Sequence, residues 1–130
     1  MGRRIPAILA GLLGVVLALP FALRWVFSPA AMSEEVGIAL SGPAAFSHMR
    51  GDTGGAFFAV GLLALAGVFR RQPGWLEAVA LIMVCIVAGR LIGIALDGYQ
   101  PQIGIAMGVE LVTAAATFAT ARQLRAEGAR

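Results

Sequence analysis

The chain has 130 residues, 59% hydrophobic and 13% charged, with a formal net charge of +3 and a mean hydropathy of +0.86. Soluble domains run at about 45–50% apolar and about 25% charged, so this balance excludes a soluble or disordered chain and indicates one compact integral membrane unit. A single cysteine, Cys85, and a single histidine, His48, exclude a disulfide framework, a cysteine-rich zinc site and a self-contained bis-histidine haem site.

A membrane helix needs about 20 mostly apolar residues. The first such run is 5–27, interrupted by Pro20 and Arg24. Arg3 and Arg4 ahead of it resemble the basic start of a secretory signal, and Ser28-Pro29-Ala30-Ala31 offers small residues for cleavage. A signal core is about 7–15 residues, whereas this run exceeds 20, so a retained helix is expected. An outer loop, 28–45, follows, in which Pro29 is placed to open a short helix with Glu34 and Glu35 on its polar edge. Such a helix would lie along the membrane interface.

The second helix is expected over 46–69, most apolar from Ala56 to Phe69. Arg70 to Gly74 reads as a tight turn broken by Pro73-Gly74. The third helix, 75–96, contains Glu77 and Arg90, and the fourth, 103–121, contains Glu110. Asp97-Gly98-Tyr99-Gln100-Pro101 joins them, with Pro101 starting the last helix. The predicted architecture is all-α: an up-down bundle of four transmembrane helices whose surroundings are the lipid bilayer.

Arginines fall at alternate ends of these runs: Arg3 and Arg4, then Arg70 and Arg71, then Arg122, Arg125 and Arg130. The opposite ends carry Glu34, Glu35 and Asp97. The positive-inside rule therefore puts both termini in the cytoplasm and the protein in a bacterial inner membrane. Topology also explains a sequence pI near 10.5, so no nucleic-acid partner is expected.

Membrane helices associate through close packing, which small residues permit. Gly51/Gly55, Gly89/Gly93 and Gly104/Gly108 each have GxxxG spacing. They predict packing within the bundle or, alternatively, the seam of a homodimer or larger membrane complex. Cys85, Met49 and Met107 read as packing residues.

Ionisable residues inside a bilayer normally face protein or water. Arg90 lies roughly 9 Å and Glu110 roughly 10 Å below the same boundary, at about 1.5 Å of rise per residue. They match in depth on adjacent antiparallel helices. Asp97, seven residues after Arg90, shares its face. Arg24, Arg50 and Asp52 lie nearer that edge, with His48 just ahead as an interfacial residue or, less simply, a titrating one. On the fourth helix Ala106, Met107, Glu110, Thr113, Ala114 and Thr117 form a small, weakly polar stripe, and Asp52, Gly55, Ala56 and Ala59 form another on the second. One reading is an internal ion-pair network, Arg90 with Glu110 and Arg50 or Arg24 with Asp52 or Asp97. A second is an outward-open polar pocket for a lipid head group, quinone or small anion. A proton relay through Glu110 is the third.

Arg50-Gly51-Asp52-Thr53-Gly54-Gly55 resembles the R-G-x-x-G-G signature of a bacterial four-helix membrane family, domain of unknown function 4345. Gly89-Arg90, then Asp97-Gly98, then Glu110 is similar to that family's second block. The resemblance implies a four-helix inner-membrane protein without an established activity, and implies Arg50, Arg90, Asp97 and Glu110 as its signature polar residues, with Gly54 and Gly55 beside them. Asp52 departs from the aromatic or aliphatic residue expected there. The architecture more distantly resembles DoxX-like proteins, some of them linked to quinone or sulfur redox chemistry, a likeness of fold alone.

Together these readings predict a non-catalytic accessory or scaffold protein locked by buried ion pairs, with no cofactor and no metal. The alternative is binding or transport of a small amphipathic ligand, such as a lipid or quinone. A quinone-linked enzyme is the weakest reading, because no redox-cofactor motif appears. A small multidrug exporter would need an acidic residue in the first helix, which has none.

Overall fold

The computed structural model describes residues 5–129. Of the expected basic flanks, Arg3, Arg4 and Arg130 lie outside the described residues. The described residues are mostly helical, with four helices long and apolar enough to cross a membrane: α1 (Ile5–Phe27), α3 (Gly42–Phe69), α4 (Pro73–Asp97) and α5 (Pro101–Gly128). A short α2 (Pro29–Val36) lies between the first two. The expected all-α membrane bundle is the observed fold.

Side chains from every long helix meet in one core, formed by Leu17 of α1, Val60 and Ala64 of α3, Val79 and Met83 of α4 and Ala114 of α5. Neighbours are antiparallel. Arg90 of α4 meets Glu110 of α5, while Glu77, earlier in α4, meets Arg125, later in α5. Likewise Gly14 of α1 faces Gly61 of α3, and Gly54, earlier in α3, faces Val26, later in α1. The helices therefore run up and down around the core, with the Arg70–Gln72 turn at one end and α2 at the other.

Two helices contain a widened, π-type turn. In α1 it spans Leu17–Phe21 and holds Pro20, which lacks the N–H that a regular ladder uses there. In α3 it spans Met49–Gly55, a stretch with three glycines.

The close approaches come from glycines other than the three expected pairs. A Cβ on Gly61 would stand 2.6 Å from both the backbone N and the Cβ of Ala18, and 2.7 Å from the Gly14 carbonyl oxygen. A Cβ on Gly67 would stand 2.7 Å from Leu76 Cγ. Gly51, Gly89, Gly93 and Gly108 would meet nothing within 4 Å, Gly55 would meet only its own helix, and Gly104 touches Tyr99. The expectation that the GxxxG pairs pack this bundle is thus overturned. Glycine spacing marks a surface that can approach another, but the helix's rotation decides which surface faces inward. On α3 the inward face carries Gly54, Gly61, Ala64 and Gly67, whereas Gly55, Ala56 and Ala59 are exposed.

Three boundaries also differ. Pro73 and Gly74 belong to α4, with Pro73 in its first turn, and the turn itself is Arg70–Gln72 with Arg71 at a φ of 53°. The second long helix begins at Gly42 instead of near residue 46. The last continues past 121 to Gly128, where Arg125 pairs with Glu77 and Glu127 with Arg71. Those partners hold polar turns that hydropathy alone would have released.

Candidate functional site

The site builds around α4 and α5 near the α2 end. Arg90 Nε lies 2.9 Å from both carboxylate oxygens of Glu110, and its Nη2 lies 2.7 Å from Oε1. The Glu110 side chain is 5% exposed and that of Arg90 34%. A planar guanidinium can grip both oxygens of a carboxylate through one edge, which an ammonium cannot. Glu110 therefore keeps its charge satisfied inside the bundle. Among the described residues, Nη1 of Arg90 has no hydrogen-bond partner.

Below Glu110, α5 is polar but closed. The hydroxyls of Thr113, Thr117 and Thr120 donate to Val109 O, Thr113 O and Ala116 O, one turn back, at 2.8, 2.8 and 2.7 Å. Hydroxyls satisfied by their own helix can be buried without another partner. The three threonines are packed core and border neither of the chambers around Arg90.

Two chambers flank Arg90. The first, about 390 Å³, is bounded by Leu17, Phe21, Met32, Arg90, Val109 and Glu110, with the Arg24–Glu35 ion pair at its rim. The second, about 580 Å³, is bounded by Trp25, Thr53, Phe57, Arg90, Gln102 and Ala106. Phe21, Val36, Phe57, Arg90, Gln102 and Ala106 border both. Small-molecule sites are typically about 300–1,000 Å³ and mostly apolar with a few placed polar groups. The indole Nε1 of Trp25 is buried and has no acceptor among the described residues.

The other expected charges are distributed differently from the network read in the sequence. Arg24 pairs with Glu35 of α2, which folds back beside it. Asp52 lies 2.8 Å from His48 Nδ1, its neighbour one turn earlier on the same helix. Arg50, two residues from Asp52 and so on the opposite face, turns to α1 and donates from Nε to Val26 O at 3.0 Å. Asp97 is exposed after the pair and joins no salt bridge among the described residues. So Arg24 and Arg50 pair with neither Asp52 nor Asp97.

The R-G-x-x-G-G segment has a definite mechanical role. Arg50 and Gly54 lie one turn apart and face the last turn of α1. Val26 O is among the last carbonyls of that helix, which have no partner along their own ladder. Arg50 supplies one. A Cβ on Gly54 would stand 2.8 Å from Val26 Cγ2 and 3.2 Å from Trp25 Cβ, so only glycine admits this approach. Gly55 is exposed and touches nothing beyond its own helix.

Sequence reading missed Glu35 and Gln102. Glu35 reaches the site only because α2 turns back over α1, which no periodicity encodes. Gln102 sits in the first turn of α5, two turns before Glu110 and on the same face, a spacing visible in the sequence.

Residues 6–121 match the family described as Domain of unknown function (DUF4345), which covers most of the chain. No curated protein and no solved structure matches it. The fold, the Arg90–Glu110 fork and the Arg50–Gly54 clasp therefore belong to a member of that family.

Proposed function

We propose that this DUF4345 protein binds a small amphipathic molecule in the paired chambers around Arg90, acting as a non-catalytic binding or transport protein. The observation that carries this is a cationic fork with one edge spent on Glu110 and the other free, set between two chambers of ligand size. The lining is mostly apolar, which suits a molecule taken from the lipid phase. By the arginine distribution the protein sits in a bacterial inner membrane with both termini cytoplasmic and the chambers near the outer side.

The test fills the space and leaves the ion pair alone. Ala106 borders both chambers. Protein purified in mild detergent should carry a small molecule, seen by native mass spectrometry and solvent extraction, and Ala106→Phe should lose it while keeping wild-type thermal stability. A wild-type protein without a retained molecule, or equal retention in the variant, would overturn the proposal.

A second reading, an accessory subunit or scaffold, is favoured by the outward faces of α4 and α5. Gly89, Gly93 and Gly108 offer bare backbone that no neighbour among the described residues uses. In a bilayer such surfaces suit a helix of a second copy or of another subunit. A dimer in sedimentation equilibrium that dissociates in Gly93→Leu would support it, and an unchanged monomer would remove it.

A further inference from the structure

The chambers hold no spare positive charge and their hydrogen bonding is unbalanced, and this restricts what they accept. Both cations bordering the first chamber already face a carboxylate: Arg24 faces Glu35, and Arg90 faces Glu110. In the second, Asp52 faces His48. An anionic head group would meet no uncompensated positive charge there, and it would lie beside the Glu35 and Glu110 carboxylates in a medium that strengthens their repulsion.

Donors, by contrast, are left over. Nη1 of Arg90 has no acceptor among the described residues, and arginine never gives up its proton. Trp25 is 3% exposed, lines the second chamber and carries an indole N–H with no acceptor among the described residues. Indole nitrogen is a donor only, so no change of tautomer relieves it. Gln102 borders both chambers, and its side-chain amide, a donor through nitrogen and an acceptor through oxygen, makes no hydrogen bond among the described residues. Leu17, Phe21, Phe57 and Ile103 supply the apolar remainder.

Resting on the binding reading above, we infer that the ligand is a neutral amphiphile whose head group presents carbonyl oxygens, seated with those oxygens toward Arg90 and Gln102. Such oxygens accept hydrogen bonds without bringing a charge. Two membrane sources share this chemistry: a quinone ring and the ester groups of a diacylglycerol.

The experiment uses full-length protein in phosphatidylcholine nanodiscs, with Trp75→Phe leaving Trp25 as the reporter among the two tryptophans. Decyl-ubiquinone, dioctanoylglycerol and dioctanoyl phosphatidic acid are titrated separately and followed by saturable change in Trp25 fluorescence. At least one neutral probe should bind about tenfold more tightly than phosphatidic acid, and whichever does so identifies the source. Gln102→Leu should weaken that probe several-fold and leave phosphatidic acid unaffected. Tighter or equal binding of phosphatidic acid would overturn the carbonyl assignment and leave the binding reading in place. No saturable signal from any probe, with Ala106→Phe indistinguishable from wild type, would overturn both.

Discussion

Arg90 holds both carboxylate oxygens of Glu110 across the α4–α5 seam, at 2.7 to 2.9 Å, yet only the glutamate is sealed inside. The asymmetry follows from side-chain length. Glutamate is short and ends within the bundle, while the arginine stem carries its guanidinium from α4 to the chamber edge. The pair therefore serves two ends: it compensates a buried carboxylate and leaves one face of the cation available.

Removing one partner should expose what the pair sustains. Arg90→Ala or Glu110→Ala leaves an uncompensated charge, which costs about 3–5 kcal/mol in soluble proteins and less where water enters. Thermal unfolding in detergent should show both single variants melting well below wild type and the double variant recovering part of the loss. Wild-type melting of both singles would exclude a buried pair. Glu77→Gln, whose partner Arg125 faces largely outward, should shift melting far less.

Glycine substitutions should separate by the face they occupy. Gly61→Ala drives a methyl to within 2.6 Å of the Ala18 backbone and should destabilise by about 1–3 kcal/mol, as overpacking does. Gly89→Ala meets open space and exchanges glycine for a better helix former, by about 1 kcal/mol. Its melting temperature should hold or rise. Equal losses in both would mean that α4 also packs through Gly89.

The clasp at the end of α1 should be visible through Trp25. Arg50→Ala removes the donor to Val26 O, a charged hydrogen bond worth about 1.5–3 kcal/mol. In a Trp75→Phe background the emission of Trp25 should move to longer wavelength as its surroundings loosen. An unmoved spectrum with unchanged melting would deny the clasp a structural part.

Orientation has a direct chemical test. In a Cys85→Ser background, Gly98→Cys should react with a membrane-impermeant maleimide on intact spheroplasts. Arg71→Cys should react only after permeabilisation. The reverse pattern would turn the whole bundle over and place the chambers on the cytoplasmic side.

Much of the site was legible because depth along a helix is simple arithmetic. Equal distances of Arg90 and Glu110 from one loop were enough to pair them on antiparallel neighbours. Arg24 and Arg50 were not assignable in this way. Each lies near a helix end, where a partner can come from a loop, a short helix or a backbone carbonyl. The choice of Glu35 for one and Val26 O for the other depends on α2 folding back and on the face that α3 turns to α1.

The amino-acid sequence by itself determined the solvent, the number of spans and their alternating direction, because bilayer thickness fixes length and burial in lipid fixes hydropathy. It also determined that Glu110 needed a cation. Helix rotation was beyond it. A run apolar on every side has no inward face until neighbours exist, so which glycines would touch, and where space would remain beside Arg90, was decided only when four helices packed together. The tertiary structure chose Gly14, Gly54, Gly61 and Gly67 for contact, turned the GxxxG pairs outward and left two chambers at the α2 end.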